Sequence, residues 1–197
     1  MRIKLYKLSW NSLKWLMLSG FLVLIIFCIF WIFDLRINLT PSMPFGIWRE
    51  TKELEKGSFI AFCLPKDNLL SSMIETREYL PRGRCSDGFA PLLKQVVATS
   101  GDKIEISKDA VSVNGKTFYH SATLSTDSKG RPMQYILRGR YIVSDNEYWV
   151  LATDHPRSLD SRYFGGIPKS SITHGMKPVL IFYRYHFDHF DDNSGIH

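Results

Sequence analysis

Apolar and polar positions along the chain fall into two regimes. Trp15 to Phe33 (WLMLSGFLVLIIFCIFWIF) runs nineteen residues without a charge. At about 1.5 Å per residue, a helix of that length roughly matches a ~30 Å hydrocarbon core. It has no polar stripe, as a helix packed on a soluble core would have. Beyond it the pattern shortens to strand-like runs: Gly57–Leu64, Pro91–Ala98, KIEIS from Lys103, AVSV from Ala110, KTFY from Lys116, Tyr135–Val143, Tyr148–Thr153 and Pro178–Tyr185. Asn114-Gly115 between alternating runs predicts a tight hairpin. One helix is predicted over Asn68–Leu80, with Asp67 or Asn68 as cap and Pro81 as stop. Residues 82–88, 121–134 and the polar tract Asp154–Arg162 read as loops, Ser144-Asp145-Asn146 as a turn, and Gly165-Gly166-Ile167-Pro168 as a further break. The pattern is mainly β, behind one membrane-spanning helix.

Charge sharpens this division. The net charge is +6 over 197 residues, but Arg2, Lys4, Lys7 and Lys14 precede the apolar run with no acid among them, so the rest of the chain is nearly neutral. The basic residues therefore flank a membrane span, and they are not the footprint of a nucleic-acid partner. By the positive-inside rule they hold the N-terminus in the cytoplasm and send the remainder across. A cleaved signal peptide has a shorter apolar region ending in small residues. Here the run ends in Trp31, Ile32 and Phe33, followed by Asp34, which reads as an uncleaved anchor. The expected organisation is a basic cytoplasmic segment at 1–14, a transmembrane anchor at 15–33 and a translocated domain at 34–197. The short tether from Asp34 to Thr40 keeps whatever follows near the lipid surface.

Candidate chemistry is sparse. Cys28 lies within the anchor. Cys63 and Cys85 lie in the translocated part, where an oxidising compartment permits a disulfide, although spacing alone does not establish one. His186, Asp188 and His189 lack a second ligand pair, so no metal is expected. Ser42, in Thr40-Pro41-Ser42-Met43-Pro44, has its backbone restricted by flanking prolines, though a serine there is ordinarily a turn residue. Lys94 interrupts Leu92-Leu93-Lys94-Gln95-Val96-Val97. Strand alternation lets it face solvent or the core, and a buried lysine loses charge and becomes a base. Ser158-Leu159-Asp160-Ser161-Arg162-Tyr163-Phe164-Gly165 reads alone as a loop with a local Asp–Arg pair.

Taken together, Thr40-Pro41-Ser42-Met43, Lys94-Gln95-Val96-Val97 with Gly101-Asp102, and Asp160 to Gly165 resemble, in order and spacing, the boxes of bacterial type I signal peptidases. Ser42-Met43-Pro44-Phe45-Gly46-Ile47-Trp48, Cys63 with Cys85 to Lys94, and the small body bring the chain closest to the TraF-type conjugative transfer peptidases of that group. Two departures from the usual pattern are Thr99-Ser100 before Gly101-Asp102 and Gln95 after the lysine.

The resemblance implies a mainly β, signal-peptidase-like catalytic domain on a single N-terminal anchor, in the periplasm at the bacterial inner membrane. It implies a serine endopeptidase with no cofactor, in which Ser42 attacks and Lys94 is the base. The Ser42 N–H and the Thr40 hydroxyl would hold the oxyanion, Ser158 would orient the lysine, and Asp160 and Arg162 would support the site without reacting. Pro91, Leu92 and Leu93, with the stretch Ile37–Pro41, would line the pockets for an extended substrate. The implied partners are membrane lipid, an exported precursor of the conjugative-pilin class and a conjugation apparatus, with cyclisation of the product as one fate of the acyl-enzyme. The alternatives are a housekeeping signal peptidase, a non-enzymatic membrane-tethered component of a conjugation or secretion apparatus, and a Ser-His-Asp triad using Asp154 and His155.

Overall fold

A computed structural model describes residues 9–65, 70–152 and 155–183. The chain divides into two compact units, Met1–Arg36 and Ile37–His197. The first contains one helix, α1 (Trp10–Ile32), capped by Ser9, whose hydroxyl accepts the Ser12 N–H. This cap carries the helix five residues ahead of the uncharged run. It takes in Lys14, whose ammonium lies 5.7 Å from the centre of the Trp10 ring. None of its residues is buried, and it is long and apolar enough to cross a membrane.

The second unit is mainly β. Its strands are β1 (Leu35–Asn38), β2 (Phe45–Thr51), β3 (Phe59–Phe62), β4 (Leu92–Ala98), β5 (Lys103–Ile106), β6 (Val111–Val113), β7 (Lys116–Phe118), β8 (Gly139–Ile142), β9 (Glu147–Leu151), β10 (Ile167–Pro168) and β11 (Ile172–Tyr183). They form a seven-stranded sheet in the order β1-β2-β11-β3-β4-β9-β10 and a four-stranded sheet in the order β7-β6-β5-β8. Two short helices accompany them, α2 (Ser71–Arg77) and α3 (Ser161–Phe164).

Strand β4 links two of the three hydrophobic clusters among the described residues. Leu92, Lys94 and Val96 share its buried face, and a register irregularity against β9 falls between Val96 and Ala98. An extra residue at such a point turns the following side chains. Val96 accordingly packs with Ile60, Phe62 and Val150, whereas Val97 and Ala98 join Ile104, Val111 and Trp149. The predicted hairpin joins β6 and β7. Asn114 (φ 51°) and Gly115 (φ 82°) both take the left-handed backbone that a two-residue turn of this hand requires.

Several elements differ from the sequence reading. α2 ends at Arg77 because Glu78 adopts φ 54°, and the caps assigned to Asp67 or Asn68 lie outside the described residues. β8 begins at Gly139, since residues 135–138 are engaged elsewhere: the Ile136 N–H donates to the Arg162 carbonyl, and the Tyr141 hydroxyl donates to the Leu137 carbonyl. The tract read as irregular ends inside α3, which begins at Ser161 and is capped by Asp160. β11 starts six residues before Pro178 and pairs with both β2 and β3. Its neighbour β2 comes close enough at Gly46 that a Cβ there would lie 2.1 Å from the Leu180 carbonyl oxygen. The His186, Asp188 and His189 group lies outside the described residues.

Candidate active site

Strand register decides the state of Lys94. It stands opposite Ile60 of β3, on the same face as Leu92 and Val96, and is only 1% exposed. Its Nζ donates to Ser42 Oγ at 2.8 Å across fifty-two residues of sequence. Burial lowers its pKa from 10.5 to about 8, opposed by the Asp160 carboxylate and assisted by the Arg162 guanidinium. A hydroxyl within hydrogen-bond reach of a buried amine of this pKa has the parts of an activated nucleophile.

The two groups open into a cavity of about 390 Å³. Thr40, Pro91, Leu92, Leu93, His155 and Ser158 also line it. Of the stretch Ile37–Pro41, however, only Asn38, Thr40 and Pro41 do so, since Ile37 and Leu39 are 58% and 73% exposed. Alternation along an extended segment accounts for the split: with Asn38 turned inward, its two neighbours point out. The Cys63–Cys85 disulfide ties the end of β3 to the turn ahead of β4, with Cα atoms 5.6 Å apart. Elsewhere in the lining, the Tyr79 hydroxyl donates to Asp127 Oδ2 at 2.6 Å and Arg131 Nε donates to the same oxygen at 2.7 Å.

Asp160 and Arg162 lie behind the cavity, with side chains wholly buried. Arg162 donates through Nε and Nη2 to the two Asp160 oxygens, both at 2.8 Å. It donates further to the carbonyls of Ala122, Pro156 and Ser158. The pair thus fastens the 156–158 turn, part of the cavity's rim, to α3. Asp102 is equally structural, accepting from Lys56, Asn114 and the Thr99 N–H around Gly101 at φ 80°.

Two implied roles meet a different geometry. The hydroxyl of Ser158, expected on the lysine, is buried and has no hydrogen-bond partner among the described residues. The Thr40 hydroxyl donates its one proton to Asn38 Oδ1 at 2.7 Å, so it reaches an oxyanion only by turning away. Half-buried His155 is held below its ordinary pKa, first by desolvation and then by the charge of Lys94. Asp154, its partner in the alternative triad, lies outside the described residues. The sequence reading named Asn38 only within the pocket-lining stretch Ile37–Pro41 and gave its side chain no role of its own. The available signal was its position two residues before Thr40, where an asparagine side chain accepts the backbone N–H of residue i+2, as it does here at 3.2 Å.

The described residues thus hold an apolar N-terminal helix and a mainly β unit in which a serine hydroxyl is hydrogen-bonded to a buried lysine, and the sequence matches a family of known proteins. Residues 10–181 match the model of the family described as signal peptidase, peptidase S26, and the chain belongs to that family. Within it, the chain is 33% identical over 146 residues to a plasmid transfer protein TraF of Escherichia coli, covering 74% of this chain and 82% of that one. It is 36% identical over 155 residues to a probable conjugal transfer protein TraF of Sinorhizobium fredii, covering 77% and 80% respectively. Among solved structures, a signal peptidase I from Enterococcus faecalis is 22% identical with a TM-score of 0.36, covering 63% of this chain and 97% of its own. A serine peptidase kind and a peptidase-like role in conjugation follow from the family and these relatives.

Proposed function

We propose that this protein is a membrane-anchored endopeptidase that cleaves an exported conjugative pilin precursor through a Ser42–Lys94 dyad. The observation that carries the reading is the 2.8 Å contact between Ser42 Oγ and a lysine amine buried to 1% exposure. Neutral Lys94 takes the Ser42 proton as Oγ attacks the scissile carbonyl, and the Ser42 N–H meets the tetrahedral oxygen. The resulting ammonium protonates the departing amine, which leaves an acyl-enzyme on Ser42. Lys94 then takes a proton from the group that attacks the ester. Attack by water releases a linear product, and attack by the precursor's own terminal amine releases a ring.

The basic residues ahead of α1 place the N-terminus in the cytoplasm and the Ser42 domain outside the cytoplasmic membrane. The TraF relatives, named for plasmid and conjugal transfer, support conjugation as the setting in preference to general export.

Mass spectrometry of the precursor, co-expressed in membranes with wild-type protein or with Ser42→Ala, tests the proposal. The expected result is a shortened pilin with wild type only, lighter by one further water if the product is cyclised. A panel of unrelated exported precursors is expected to stay intact; cleavage of the whole panel would point to a housekeeping peptidase. Conjugal transfer that persists at wild-type frequency with stable Ser42→Ala would point to a tethered, non-enzymatic component.

A further inference from the structure

The nucleophile loop is poor in its own hydrogen bonds. Pro41 and Pro44 have no N–H to give, and the backbone bond within the loop, from the Met43 N–H to the Thr40 carbonyl, is long at 3.5 Å. Carbonyls left in such a segment need donors from outside. The Asn38 side chain, 9% exposed at the end of β1, supplies them. Its Nδ2 faces three carbonyls, those of Thr40 at 3.3 Å, Met43 at 3.1 Å and Pro44 at 3.0 Å. Its Oδ1 accepts from both the N–H and the hydroxyl of Thr40. The opposite amide orientation would set an oxygen against three carbonyl oxygens, so the network fixes which way the group points. Trp48 Nε1 adds a second donor to the Pro44 carbonyl at 3.2 Å.

We propose that Asn38 is the positioning residue of the Ser42 loop. Its two amide protons, shared among three carbonyls, stand in for the backbone donors that the prolines remove, and thereby hold the Ser42 hydroxyl on Lys94. The inference rests on Ser42 as nucleophile and adds a residue that touches neither the amine nor the hydroxyl of the dyad. Misplacing a reacting atom by roughly 1 Å costs on the order of 10²-fold in rate.

The test uses the full-length protein in detergent micelles, with Asn38→Ala and Asn38→Asp. Asp keeps the shape and the acceptor for Thr40 but puts an oxygen where the donor stood. Both variants are expected to lower kcat for precursor cleavage about 100-fold with KM within about threefold. In Asn38→Ala, amide hydrogen exchange at Thr40 and Met43 is expected to quicken at least tenfold, while the amides of β4 and β9 stay protected.

Wild-type kcat in Asn38→Ala, or in Asn38→Asp, would overturn the proposal. The second result would mean that the acceptor alone suffices. Unchanged loop exchange in Asn38→Ala would overturn the clamp even if activity fell. Ser42→Ala, run in parallel, separates the two failures: cleavage that survives it removes the nucleophile reading, and the positioning role with it, whatever the exchange shows.

Discussion

Lys94→Met is expected to abolish precursor cleavage and to raise the thermal midpoint of the protein. The two effects have one cause. Burial lowers the Lys94 pKa from 10.5 to about 8, and at roughly 1.4 kcal/mol per unit a protonated Lys94 costs the native state on the order of 3 kcal/mol at neutral pH. Methionine fills a similar volume with no charge to desolvate. The lost bond to Ser42 offsets about 1 kcal/mol of the gain. A net of about 2 kcal/mol raises the midpoint by roughly 5 °C for a domain of this size, while removal of the base lowers turnover by ~10⁴-fold or more. The pH dependence has a definite sign. Between about 8 and 10.5 the unfolded chain holds a proton that the native chain has released, so wild-type stability rises with pH in that window. The advantage of Lys94→Met should shrink over the same range. Thermal melts at pH 7 and pH 10 beside a cleavage assay measure all of this. A lower midpoint together with wild-type turnover would contradict it.

Arg162→Ala is expected to be the most destabilising single change in the site region, at about 3–5 kcal/mol, or roughly 10 °C in midpoint. The substitution leaves the Asp160 carboxylate, wholly buried, without its bidentate partner. It also strands the carbonyls of Ala122, Pro156 and Ser158. The energy lost is mainly that of leaving a buried charge unpaired, so neutralising both partners in Asp160→Asn with Arg162→Leu should recover part of it. Asparagine, with a single oxygen, can still cap α3 by accepting the Arg162 N–H but gives up the Ala152 N–H, which Asp160 accepts on its other oxygen, so the recovery is incomplete. A midpoint within 2 °C of wild type for Arg162→Ala would show that the pair does not anchor the rim.

The legible parts of the molecule were those whose signal is local. The uncharged run announced α1, Asn114-Gly115 announced its hairpin, and alternation announced β5 and β6. β2 was missed because its buried positions are Gly46 and Trp48, one without a side chain, and its end is charged. α3 was hidden because its four residues, Ser161 to Phe164, are buried by tertiary contacts in a tract of polar composition. Lys94 was singled out as an anomaly in an apolar run, but its facing direction follows from the pairing of Ile60 with Lys94, a contact no local pattern encodes. Thr40 and Ser158 show where motif position falls short of geometry, since one hydroxyl is spent on Asn38 and the other has no described partner. Asn38 itself carries no motif, and its importance arises only when the chain folds three carbonyls around it.

In the proposed mechanism Lys94, not His155, is the base on Ser42. This assignment is tested most directly by the pH dependence of kcat/KM for precursor cleavage by the full-length protein. Because the neutral amine is the active form, the account predicts a rate that rises about tenfold per pH unit at low pH and levels off near pH 8, with the same profile in His155→Ala. A rate that already levels off below the ordinary histidine range, with cleavage lost in His155→Ala and retained in Lys94→Met, would contradict it.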